Sequence, residues 1–152
     1  MTRALFSLAM LLVAGCSSTD DCEAPPFASP TIAGGLQGTS DAPFVAVTWA
    51  ASPGDLPDAY FEQAQVAPAS LAAGVSYVSP RELDVRLVAL DQLPTDQDVS
   101  ISVELPDTRE FTSCHHPGMA DVYSFTVDLR FDASHALTRA DVAPIVRTPG
   151  AI

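Results

Sequence analysis

Val99-Ser100-Ile101-Ser102-Val103-Glu104-Leu105 alternates apolar and polar residues without a break. In an extended chain successive side chains point to opposite faces. The pattern therefore buries Val99, Ile101, Val103 and Leu105 and leaves Ser100, Ser102 and Glu104 in water. It predicts a half-buried strand. Downstream, Tyr123, Phe125, Val127, Leu129 and Phe131 line one face against Ser124, Thr126, Asp128 and Arg130 on the other, over a length that suits a central strand.

Working outward, Phe44 to Ala50 places Val45, Val47 and Trp49 on one face and Ala46 and Thr48 on the other. Leu83 to Leu90 points Leu83, Val85, Leu87 and Ala89 one way, and Gly74 to Ser79 reads as a shorter strand that ends at Pro80. Thr31 to Ala33 suits one short edge strand in a stretch that Pro25, Pro26, Pro30, Gly34, Gly35 and Gly38 keep irregular. Leu137 to Val146 adds a last edge strand interrupted by Pro144, and Asp58 to Val66 fits either a helical turn or a strand. Turns fall at Ser52-Pro53-Gly54-Asp55, at Asp91 to Asp98 and at Asp132 to His135, and a loop runs from Pro106 to Ala120. Short alternating strands between such turns predict an all-β fold, an antiparallel β-sandwich of about seven strands.

Arg86-Leu87-Val88-Ala89-Leu90, then Leu93-Pro94-Thr95-Asp96, then Val99 to Val103, with Tyr123-Ser124-Phe125-Thr126 downstream, resembles the C-terminal half of bacterial Ig-like domains of the S-layer-associated type. Pro30-Thr31-Ile32 and the strand carrying Val47-Thr48-Trp49 are then similar to that family's first two strands. The resemblance implies an Ig-like sandwich and no particular function. The family's Asp and Gly-Asn turn after the penultimate strand is replaced here by the loop around Cys114.

The formal net charge is −12, with 19 acidic and 7 basic residues. Such a chain repels phosphate backbones, and its arginines after Arg3, from Arg81 to Arg147, form no basic stripe; nucleic acid is excluded as an expected partner. The chain has no Lys, which rules out a P-loop and a Ser-x-x-Lys nucleophile.

At the N-terminus, Arg3 precedes Ala4 to Ala14, an apolar run of 11 residues. That is too short to span a bilayer, for which about 20 are needed, and it reads as the apolar region of an export signal. The run ends in Val13-Ala14-Gly15-Cys16, which resembles the lipobox of bacterial lipoproteins. The resemblance implies cleavage before Cys16, diacylglycerol on its thiol and an acyl chain such as palmitate on the freed amine. Two or three chains anchor stably where one does so only marginally. Ser17, not Asp, follows the cysteine, which in that family implies the outer membrane. The expected organisation is a signal peptide over 1–15, a lipidated Cys and tether over 16–29, and an Ig-like domain over 30–152.

With Cys16 set aside for lipid, Cys22 and Cys114 have one possible pairing, and an oxidising envelope compartment permits it; two free thiols are the alternative. Closing so long a loop would stabilise the fold by about 2–5 kcal/mol.

Cys114-His115-His116, with Met119 nearby, is a cluster of soft ligands suited to copper or zinc. Adjacent side chains in extended backbone diverge, so His115 and His116 would need the turn that Pro117-Gly118 can supply, and a bridged Cys114 would be lost as a ligand. A solvated loop tip is the simpler reading. Asp91, Asp96 and Asp98, with Asp84, could ring a calcium ion, but the segment lacks the Gly and terminal Glu of a calcium loop. No Gly-x-Ser-x-Gly elbow is present, the nearest being Gly38-Thr39-Ser40-Asp41-Ala42, and no His-Glu-x-x-His. A distant triad would have to draw on His115, His116 or His135. The expectation is a non-enzymatic lipoprotein of the cell envelope that contacts proteins or glycans, with a copper- or zinc-binding protein as the alternative.

Overall fold

The computed structural model of the chain describes residues 29–49, 64–106 and 122–148. These form nine strands: β1 (Thr31–Gly38), β2 (Pro43–Thr48), β3 (Gln65–Ala67), β4 (Ala72–Ser79), β5 (Glu82–Leu87), β6 (Asp98–Pro106), β7 (Val122–Phe131), β8 (Leu137–Val142) and β9 (Val146–Thr148). Two antiparallel sheets result. One has the order β1-β2-β5-β4; the other has the order β3-β6-β7-β8, with β9 also paired to β7.

The first seven strands thus take the order of a constant-type immunoglobulin sandwich, in which strands one, two, five and four face strands three, six and seven. The expected antiparallel sandwich is the observed fold. Two strands are added beyond the expected seven. β8 pairs with residues 127–131 of β7 and β9 with residues 122–124, so together they form one outer strand broken at Ala143-Pro144-Ile145. Proline cannot donate to a ladder, which accounts for the break.

The core follows from alternation. On β6, Val99, Ile101, Val103 and Leu105 are buried between exposed Asp98, Ser100, Ser102 and Glu104. On β7, every second residue from Tyr123 to Phe131 is buried. Val45 and Val47 from β2 and Leu83, Val85 and Leu87 from β5 supply the opposite wall, with Trp49 and Leu93 closing the core. Antibody domains bridge their second and sixth strands with a disulfide, whereas β2 and β6 here carry aliphatic core residues in those strands.

Three local readings change. The glycines do not end β1 at Ala33: the strand continues to Gly38 through a register shift between Ala33 and Leu36, where Gly34 and Gly35 take positive φ. Such an insertion bends a strand and leaves its pairing intact on either side. β5 ends at Leu87; the Val88 amide still donates to the Leu71 carbonyl in the register of the β4 pairing, and the backbone then turns away, the Leu90 amide bonding the Ser40 carbonyl as Leu90–Gln92 forms a 3-10 turn. Within Asp58 to Val66, the described end belongs to β3, whose Val66 pairs with Val103.

The connections β1–β2, β3–β4, β5–β6 and β7–β8 gather at one end of the sandwich. There the Leu90 amide donates to the Ser40 carbonyl and the Asp96 amide to the Phe131 carbonyl. We call this the turn pole. At the other end β1 begins opposite Thr48, β4 turns into β5 beside Trp49, and Pro106 pairs with Val122. This is the entry pole. Phe131 is fully buried, so Phe131→Ala should lower the unfolding free energy by about 3–5 kcal/mol in urea titrations, and Ile101→Val by about 0.5–1.5 kcal/mol.

Candidate functional site

Cys16, Cys22, Cys114, His115, His116 and Met119 all lie outside the described residues, and so does the export signal. The carboxylates considered for calcium are described, and the fold sets Asp84 apart from Asp98. Asp84 lies on the outer face of the first sheet, paired with Ala46 and Ser76. Asp98 opens β6 in the second sheet and is engaged by two arginines. Among the described residues no three His, Cys, Asp or Glu side chains are grouped so as to hold a metal ion.

The outer face of the second sheet is an ordered polar surface. Register places Asp98 opposite Arg130 and Arg130 opposite Arg139. Asp98 accepts from Arg130 Nη1 at 3.2 Å and from Arg139 Nη1 at 3.4 Å, so one carboxylate on β6 ties down a row that reaches β8. Arg130 Nη2 also donates to the Asp96 carbonyl at 2.7 Å, and Arg139 Nε donates to Asp141 at 2.5 Å. One row further along, the Ser100 hydroxyl donates to Asp128. The arginines are thus committed to neighbouring acids, and the face keeps its acidic excess.

The β7–β8 turn is built on Asp132. Its Oδ1 accepts from the Ser134 amide at 2.8 Å, the Ser134 hydroxyl at 2.6 Å and the Ala136 amide at 3.0 Å. The Ser134 hydroxyl first, and then the Ala136 and Ser134 amides, hold the Asp132 carboxyl below its ordinary pKa. The same turn sets His135 at φ 60° with its Nδ1 buried and without a hydrogen-bond partner. On the first sheet Asp84 is pushed the other way, by burial and then by Glu82 two residues earlier on the same face.

Charge is divided between the poles, a feature that strand order reveals and linear sequence does not. Toward the turn pole lie Asp41, Asp91, Asp96, Asp98, Asp128, Asp132 and Asp141 against Arg86, Arg130 and Arg139. Toward the entry pole lie Glu82, Asp84 and Glu104 against Arg81 and Arg147. Among the described residues the acidic excess is therefore larger toward the turn pole than toward the entry pole. No family model, no curated protein and no solved structure matches the chain.

Asp132 has its folded pKa below the unfolded value, so its stabilisation is present above the unfolded pKa and is lost as pH falls through the folded one. Asp84 has its folded pKa above the unfolded value. Its stabilising contribution is present below the unfolded pKa and is lost as pH rises through the folded one. At neutral pH Asp132→Asn should therefore lower the urea midpoint and Asp84→Asn should raise it. Both differences should shrink as pH falls through the carboxylate range. The Asp98 network is exposed, so a double-mutant cycle on Asp98 and Arg139 should give only a weak coupling that fades in high salt.

Proposed function

We propose that this chain is a non-enzymatic lipoprotein of the bacterial cell envelope. Diacylglycerol and an acyl chain on Cys16 hold it to the outer membrane, and it presents an acidic β-sandwich for contact with envelope proteins or glycans, or as a member of a larger assembly. The observation that carries the reading is the apolar run Ala4 to Ala14 closing on Val13-Ala14-Gly15-Cys16. The contact role is supported by the polar, acid-rich surface of the second sheet, whose side chains are held in register by the Asp98 network. An ordered surface costs less entropy on binding than a floppy one.

The proposed bridge between Cys22 and Cys114 gains support from the topology. Cys22 precedes Thr31 by nine residues, and Cys114 stands eight from Pro106 and eight from Val122. All three strand ends lie at the entry pole. Eight or nine residues reach roughly 30 Å at full extension, so both thiols can approach that pole.

Expressed as the full chain in a bacterium, the protein should partition into detergent, and the peptide beginning at Cys16 should carry the mass of diacylglycerol plus an acyl chain. The Cys16→Ser chain should stay aqueous. Peptide mapping without reductant should recover Cys22 linked to Cys114. An unmodified Cys16 in the mature protein overturns the anchor, and free thiols at both other positions overturn the bridge.

A further inference from the structure

The two outer faces of the sandwich use their polar side chains differently. On the second sheet Arg130 and Arg139 are spent on Asp98, and Ser100 on Asp128. On the first sheet the register sets Phe44, Arg86 and Gly74 in one row toward the turn pole, and Ala46, Asp84 and Ser76 in the next row toward the entry pole. Arg86 is exposed and makes no hydrogen bond or ion pair among the described residues, and the side chains of Asp84 and Ser76 make no hydrogen bond among them. Arg86 is nevertheless held in place. A Cβ at position 74 would lie 2.8 Å from Arg86 Nη2, so the guanidinium fills the room that glycine leaves over β4. The φ of 146° at Gly74 favours glycine there as well. On the other flank stands Phe44, half-buried. A placed guanidinium with unspent N–H groups is a fork that takes a carboxylate through two parallel hydrogen bonds.

We infer that this part of the first sheet binds a carboxylated sugar, with the carboxylate on Arg86, the ring against Phe44 and hydroxyl groups donating to Asp84. The inference rests on the contact reading above, which it deepens by naming a ligand and a face, and it holds with or without lipid on Cys16. Flatness selects a sugar over a peptide. Ala46, Gly74 and Ser76 are small, and the register shifts of β4 leave no continuous edge on which an extended strand could add. A sugar ring lies flat on such a surface, covers an aromatic side chain and brings donors to an acceptor that has none. Burial has already withdrawn Asp84 partly from water, so a ligand that covers it strips less hydration. The acid-rich turn pole repels polyanions, which restricts the ligand to an isolated carboxylate on an otherwise neutral sugar. Every undescribed segment joins the domain at the entry pole, whereas Phe44, Arg86 and Gly74 lie toward the turn pole, whose connections are all described.

The full chain, purified in detergent, is titrated with methyl glucuronide and with its neutral counterpart methyl glucoside, and binding is read from the saturation that protein protons transfer to the ligand. The glucuronide should bind roughly tenfold more tightly than the glucoside, as one charge-assisted pair implies. Arg86→Met should abolish that preference, and Arg86→Lys should keep part of it. Phe44→Leu should weaken both sugars alike, and Arg139→Met on the second sheet should leave both unchanged. Equal binding of the two sugars, or a preference that survives Arg86→Met, overturns the inference. So does an end-capped Gly-Glu-Gly peptide that binds as tightly as the glucuronide, since it would make the surface a receptor for any carboxylate, polypeptide ones included. None of these outcomes touches the anchor, which is read separately from the mass of the peptide that begins at Cys16.

Discussion

The ladder between β6 and β7 is the constraint on which the rest depends. It runs from Asp98 opposite Arg130 to Pro106 opposite Val122 without a register shift. Each inward pair, Val99 with Leu129, Ile101 with Val127, Val103 with Phe125 and Leu105 with Tyr123, is buried. Because side chains alternate with a period of two, slipping either strand by one residue would send these apolar residues into water and bring Asp128 and Arg130 into the core. The same register that fills the core also lines up Asp98, Arg130 and Arg139 outside it. Packing and surface chemistry are thus two faces of one pairing.

Strong alternation was legible wherever a strand has one dry face and one wet face, as in β6, β7 and the Val45-Val47-Trp49 run of β2. It misled at Ala89 and Leu90, where the pattern continues but the backbone leaves the ladder for a 3-10 turn and the Leu90 amide bonds Ser40 instead. It was blind to β3 and β9, whose three residues are too few to show a period. The extent of β1 was hidden because Gly34 and Gly35 look like a turn, yet their positive φ makes a bulge inside a continuing strand. Of the candidate site, Asp98 was visible only as an acid among acids. Its two arginine partners are 32 and 41 residues away in sequence and meet it through strand order alone. The unequal poles are similarly invisible to linear reading, since Asp41, Asp91 and Asp132 come together only after three different turns have been folded to one end.

Immunoglobulin-like topology is shared by proteins of many functions and argues for none of them. What it supplies here is geometry. All of the odd-to-even connections from β1 to β8 close at one end, so the chain enters at the other. A domain built this way has a built-in axis, and the described charges are distributed along that axis unevenly. The turn at Asp132 and the row at Asp98 also show how this protein handles a large acidic excess. Individual carboxylates are satisfied by backbone amides, hydroxyls and the few arginines, and the remaining repulsion is left on the solvent side of a core made entirely of apolar side chains.

The outer strands have one more consequence. An uninterrupted sheet edge invites another chain to pair with it. Every edge here is broken: β1 by its glycine bulge, β4 by register shifts at both ends, β3 by its three-residue length, and the β8–β9 margin by Pro144. Copies held on one membrane, as the lipid-anchor proposal has them, would meet in two dimensions at far higher local density than in solution. With no edge long enough to zip onto a neighbour, such copies could crowd together and still remain separate, folded units.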